Sequence, residues 1–163
     1  MANQKISISN ISYKNDESVR ILTIVLSKWF SDPKTLHFTS PNLKYPFNMN
    51  HWVSTFYKTD DVETFVLKDE NWIIGHLSVK IDKNNNIAHF FHLFIDSENR
   101  QKGYAKKLIR YAEKHIITGK DNIRAITLNC VKKNIPAITL YQSIGFQKLK
   151  EKKWLKMIKH IKR

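Results

Sequence analysis

Cys130 is the only cysteine in 163 residues, so no internal disulfide can form and a reducing compartment suits the chain. No run reaches the roughly 18 apolar residues that a membrane span requires. The opening "MANQKISISNISYKND" has no apolar core of the kind a secretory signal carries. A cytoplasmic location is the expectation. Arginine is also scarce, with 5 of the 28 basic residues against 23 lysines. Base readout and tight phosphate gripping favour the planar arginine fork, so a net charge of +14 carried on lysine reads first as a solvated surface. The densest basic cluster, "KLKEKKWLKMIKHIKR", sets Leu155 and Met157 against Trp154 and Ile158 on alternate positions, the pattern of a final strand with a solvated edge. With only four glycines, each one invites a reason.

What is present is ordinary for a globular protein: 42% hydrophobic and 26% charged residues, in a length that suits one domain over 1–163. "KISISNI" (5–11) reads as a first strand. Val19, Leu22, Leu26 and Trp29 recur at helical spacing over 16–30, with Asp16 as the expected N-cap. Residues 31–48 hold three prolines and read as a long irregular connection, followed by a short helix over 48–58. "VETFVLKD" and "WIIGHLSVKID" form a hairpin around Glu70 and Asn71, and "KNNN" turns into a further strand over 87–95. A helix then runs to about Ile117, with Gly119 in a C-cap role. A strand (122–131), a helix (135–144) and two closing strands complete an α/β pattern, with a mostly antiparallel sheet and helices on its faces.

The loop "NRQKGYAKKL" (99–108) carries the chemistry. Arg100-x-x-Gly103-x-Ala105 follows a strand and opens a helix whose buried face is Ala105, Leu108, Ile109, Ala112 and Ile116. The first turn of such a helix presents backbone N–H groups and a positive dipole end, and small residues at 103 and 105 let an anion approach the backbone. This is how a protein cradles a pyrophosphate. About thirty residues further on stands Asn134-Ile-Pro-Ala137-Ile-Thr-Leu140-Tyr141-Gln-Ser-Ile-Gly145-Phe146.

Together the two segments resemble the GNAT superfamily of acetyl-CoA-dependent N-acetyltransferases, over roughly residues 62–150. The order of hairpin, strand ending in "LFID", loop, helix, strand and N-x-x-A-x-x-L-Y-x-x-x-G-F agrees with it. The resemblance implies an α/β (α+β) fold: a mixed, mostly antiparallel central sheet of about seven strands, flanked by about four helices and splayed at the cofactor strand. It also implies acetyl-CoA as co-substrate, without a metal, lying in the gap of the splay. Leu93 and Ile95, with Phe94 between them, would bond the pantetheine arm through their backbone as an added strand would. Arg100, Gln101, Lys102, Gly103, Tyr104, Ala105 and Lys106 would take the pyrophosphate, and Asn134 would bond the cofactor from the next helix start. Tyr141 would sit near the sulfur and protonate the departing CoA thiolate.

An amine must lose its proton before it attacks a thioester. The ribosomal-protein branch of the family carries a Glu five residues before the motif asparagine, but Asn129 stands there in this chain. The histone-type branch places a Glu on the splayed strand fourteen residues before the loop glycine, and here that position is His89, whose ordinary pKa near 6.5 suits proton transfer. His89 is expected on one face with Phe91, Leu93 and Ile95, with His92 pointing the other way. Water is the alternative base.

The resemblance implies a primary amine as acceptor: a small molecule, a protein N-terminus or a lysine. Its end of the site is expected among Trp29, Phe30, His37, Phe38, Tyr45, Phe47, Trp52, Phe56 and Tyr57, with Asp32, Asp60, Asp61 and Glu63 as the carboxylates available to a polycation. No membrane partner is expected, and a homodimer stays open. Two other readings stand beside the enzyme. A non-catalytic acyl-CoA-binding regulator would keep 93–106 but lack a working acid or base. A basic nucleic-acid-binding module would bind with steep salt dependence and ignore acetyl-CoA.

Overall fold

The computed structural model describes residues 5–119 and 122–162. The first four residues of the N-terminal stretch and Arg163 of the basic tail lie outside them. Seven strands form one sheet: β1 (Ile6–Ile11), β2 (Val62–Asp69), β3 (Trp72–Asp82), β4 (Ile87–Ile95), β5 (Ala125–Cys130), β6 (Gln147–Glu151) and β7 (Leu155–His160). Their spatial order is β1-β2-β3-β4-β5-β7-β6. Every neighbouring pair is antiparallel except β4 and β5, which run parallel. The helices are α1 (Asp16–Trp29), α2 (Pro33–Thr39), α3 (Met49–Phe56), α4 (Tyr104–Gly119) and α5 (Ile135–Ser143), with a short 3-10 turn at Ser97–Asn99.

Alternation along the strands builds two cores. Phe65 and Leu67 of β2 pack with Leu108, Ile109, Ala112 and Ile116 of α4 and with Tyr141 of α5. Val66, between them in sequence, faces the other way into a cluster with Leu22, Leu26 and Trp29 of α1, Leu36 of α2 and Trp52 of α3. The stripes expected on α1 and α4 are thus the ones buried, except that Val19 and Ala105 are only partly covered.

Several local expectations change. The cap of α1 is Asn15, whose Oδ1 accepts the Ser18 amide at 2.9 Å, and Asp16 falls one residue later in the first turn. The segment 31–48 is not wholly irregular. Asp32 caps α2, accepting from the Thr35 amide at 3.0 Å, and Pro33 sits in the first turn, where its missing N–H costs nothing. Among the described residues α2 is thus a fifth helix beside the four expected from sequence. Gly119 ends α4 within the helix and does not take the left-handed conformation of a glycine cap. β7 is not an edge: it pairs with β5 on one side and β6 on the other, so Leu155 and Met157 are buried while the lysine-rich β6 is exposed along its whole length.

One irregularity sets up the site. Between β3 and β4 the register runs from Ser78↔Phe91 to His76↔Phe94, so His92 and Leu93 together face Leu77. His92 has φ +54°, the left-handed region that favours glycine. The extra residue reverses the alternation of β4. Ala88 and Phe90 face α4, but beyond the bulge His92 and Phe94 lie on the side of α1–α3 while Leu93 and Ile95 pack toward α4. His92 therefore joins Phe91 on one side, and Leu93 and Ile95 leave it, contrary to strict alternation.

Candidate active site

The pairing of β4 with β5 runs from Ile87↔Ala125 to Phe90↔Leu128 and stops there. Beyond that point the strands part, and a cavity of about 1130 Å³ opens between them. Its walls include Leu93, Phe94 and Ile95 of β4, Arg100, Gln101 and Gly103 of the loop, Tyr104, Ala105 and Lys106 of α4, and Asn134 and Tyr141. Of the residues assigned to a cofactor from sequence, Lys102 alone does not line it.

The loop is built for a close approach. Gln101 and Gly103 both have positive φ, +62° and +79°, which turns the chain sharply into α4. A Cβ on Gly103 would meet nothing within 4 Å, so open space lies over this backbone. The Lys107 amide makes the helix's bond to the Gly103 carbonyl at 3.0 Å, and the positive end of the helix dipole falls at the cavity. Arg100 ties the loop to the end of β4: its Nε donates to the Ile95 carbonyl at 3.0 Å, and its guanidinium lies 5.1 Å from the centre of the Phe94 ring. Asn134 holds the N-cap position of α5, makes no side-chain cap bond and lines the cavity. A diphosphate fits the start of α4, where helix N–H groups that have no partner within the helix meet the open space over Gly103.

Tyr141 lies near the C-terminal end of α5, its ring edge-on to Phe146 with centroids 6.0 Å apart. It is largely buried but lines the cavity. Burial first, and Cys130 second, push its hydroxyl well above the ordinary tyrosine range, so it keeps its proton at any working pH. His89 stands elsewhere. It lines a second cavity of about 770 Å³, with Asp60, Asp61, Glu63 and Asp82 among its neighbours there. Its Nδ1 shares a hydrogen bond with Thr127 Oγ1 at 2.9 Å. Burial, then Lys156 and Lys80, pull it down to about 4. Tyr141 and His89 are not brought into one cavity.

The architecture can be set beside known proteins. The acetyltransferase (GNAT) family matches residues 24–146. The chain belongs to the GNAT acetyltransferase family. It is accordingly a GNAT-type acyltransferase. Among solved structures, a domain from Methanocaldococcus jannaschii DSM 2661 superposes with a TM-score of 0.77 at 18% identity, over 98% of this chain and 100% of that one. The PaiA N-acetyltransferase of Thermoplasma acidophilum, solved with coenzyme A, gives 0.70 at 20% identity over 96% and 99%. The spermidine N-acetyltransferase of Vibrio cholerae, solved with CoA and spermine, gives 0.72 at 16% over 95% of each. At these identities the likeness is one of fold. No curated protein matches the chain in sequence.

Within the GNAT frame, α2 forms the far wall of the large cavity, through Lys34, Thr35, Phe38 and Thr39. Among the described residues Asp32 is the one carboxylate in the lining, and it is already engaged by the Thr35 amide and hydroxyl. Asp60, Asp61 and Glu63 line the second cavity instead. Most of the aromatic residues considered for the acceptor end, including Trp29, Phe30 and Trp52, are core.

Reading the sequence did not single out the polar cluster beneath this wall. His92 lines the cavity while its Nδ1 meets Tyr57 Oη at 2.7 Å and its Nε2 meets Ser40 Oγ at 3.0 Å. Tyr57 continues to Ser78 at 2.8 Å, and Ser78 to Thr64 at 3.0 Å. No residue-type pattern announces this cluster; the bulge assembles it. Its histidines carry a pH signature. Burial pulls His76 down to about 4 and His92 well below the ordinary value. The unfolded chain takes up protons near pH 6.5, before these folded rings or His89 do. Stability is therefore whole above about pH 7 and is lost as pH falls from 6.5 towards 4, at roughly 1.4 kcal/mol per pH unit for each ring. Denaturant midpoints at pH 7, 6 and 5 should fall in that order; a flat series would mean that the rings are charged in the folded protein.

Proposed function

We propose that this protein is a single-domain N-acetyltransferase moving an acetyl group from acetyl-CoA to a primary amine, by direct attack in a ternary complex. The observation that carries the reading is one cleft, opened where β4 and β5 part, lined by the positive-φ Gly103 loop, the start of α4, Asn134 and Tyr141. The loop and α4 bind the pyrophosphate, the β4 backbone at 93–95 holds the pantetheine arm, and Asn134 bonds the donor from the start of α5. The neutral amine adds to the thioester carbon, the C–S bond breaks, and Tyr141 gives its proton to the departing sulfur. Water takes the proton that the amine gives up. His89 is poorly suited to that step, as it lies in the other cavity and is a weak base. The pH–rate profiles of His89→Ala and the wild type are accordingly expected to run parallel; loss of the acidic limb in the variant would return the role to His89.

A thermal-shift titration with acetyl-CoA, followed by mass spectrometry of mixed amines, tests the whole reading. Stabilisation together with a mass gain of one acetyl group on an amine is expected. Stabilisation without product would favour the non-catalytic regulator, and no stabilisation would remove the cofactor assignment.

A further inference from the structure

The bulge at His92 is held from behind by a relay whose proton positions can be deduced. His76 Nδ1 lies 2.8 Å from the backbone carbonyl of His92. A carbonyl only accepts, so Nδ1 carries the hydrogen. Burial keeps the His76 ring neutral, which leaves Nε2 as an acceptor. Tyr13 Oη, 2.8 Å from Nε2, must then donate to it. The Tyr13 oxygen in turn accepts from Trp52 Nε1, a donor only, at 3.1 Å. All three side chains are buried, so water does not compete for these bonds. Every hydrogen in the chain Trp52→Tyr13→His76→His92 carbonyl thus has one direction.

What the relay grips is the peptide between His92 and Leu93. A trans peptide is planar, so the Leu93 N–H points opposite to the His92 carbonyl, away from His76. Leu93 lines the large cavity, and β4 has no β5 partner beyond Phe90. The left-handed φ of His92 is a conformation that a histidine keeps only where its surroundings impose it, and the bond from His76 is one such constraint. We propose that His76 is a positioning residue for acyl transfer: through one N–H bond it fixes the His92–Leu93 peptide so that the Leu93 amide is offered to the acyl carbonyl in the cleft. This rests on the acetyl-CoA reading above, and the experiment separates the two.

Asparagine at 76 places an amide nitrogen close to where Nδ1 stands, whereas glutamine reaches instead to the position of Nε2. His76→Asn therefore keeps the bond to the His92 carbonyl and loses Tyr13; His76→Gln does the reverse. Both lose the ring and its packing, so their melting temperatures should fall alike. The acetyl-CoA affinity of His76→Gln should drop roughly tenfold further than its affinity for CoA, which has no acyl carbonyl, whereas His76→Asn should lose less than about twofold for either ligand. Equal losses in the two variants, or none in either, would overturn the proposal. A wild type that binds neither CoA nor acetyl-CoA would overturn the cofactor reading instead. Should the Gln variant not fold, the wild type supplies the test. Its ¹⁵N spectrum should show His76 as the Nδ1–H tautomer at neutral pH, and the Leu93 amide proton should move downfield with acetyl-CoA but not with CoA. The opposite tautomer, or an unmoved Leu93 amide, sinks the idea.

Discussion

Acetyl-CoA is expected not to bind the Gly103→Glu protein. Gly103 has φ +79°, so any side chain there strains the backbone by about 1–2 kcal/mol. The larger effect is electrostatic. Space over Gly103 is open, and Gly103 lines the cavity at the start of α4, where the dipole and amides would receive a diphosphate. A carboxylate introduced there occupies the same volume and repels the ligand's charge. It does not oppose the fold, since an acidic group at a helix start is worth about 0.3–1 kcal/mol in the helix's favour. Calorimetric titration should find affinity reduced beyond detection, with a melting temperature close to that of the wild type. Gly103→Ala carries the strain without the charge and should bind measurably, if more weakly. Full ligand-induced stabilisation of Gly103→Glu would reduce the loop to a turn.

The loop was legible because its glycine is one of only four and stands between an aromatic strand and a clean helical stripe. Gly145 is legible for a like reason: its φ of +103° ends α5 and turns the chain into β6. Other signals are present but are outweighed by their neighbours. Asp32 followed by Pro33 is a helix start, but three prolines within eighteen residues drew the segment toward irregular structure. The position of β7 had no local signal, because the order β5-β7-β6 is set by which strand reaches β5, not by adjacency in the chain. The bulge was hidden altogether. Nothing else in "FFHLF" marks a residue with positive φ, and although histidine takes that conformation more readily than most side chains, one histidine in an aromatic run is no signal for it. Period-two reasoning held as far as Phe91 and failed one residue later, so the faces of His92, Leu93 and Ile95 were each inverted. That failure also bears on His89. Its register opposite Thr127 lies before the parting of the strands, which places it behind the cleft and in another cavity.

Tyr141→Phe is expected to lower kcat by about 10²–10⁴ while leaving acetyl-CoA affinity within about twofold of the wild type. The substitution keeps the ring against Phe146 and the apolar contacts of the α5 core, so the fold and the cleft should survive it. What it removes is the proton. A hydroxyl pushed this far up is a weak acid for a thiolate in water, yet the comparison must be made in the same surroundings. Cys130, on the same wall, is pushed up to about 11 by burial alone. A sulfur released beside it meets the same penalty on its charged form, which narrows the gap between acid and leaving group. Because Tyr141 does not titrate in the working range, the wild-type rate should rise with pH until the acceptor amine is neutral and then level off, without an alkaline fall from this residue. Steady-state kinetics of wild type and variant from pH 6 to 9.5 check both statements. A loss confined to KM would make Tyr141 a binding residue. Near-normal turnover would mean that the thiolate departs unprotonated or takes its proton from water, and the acid role would fall while the family and the cleft stood.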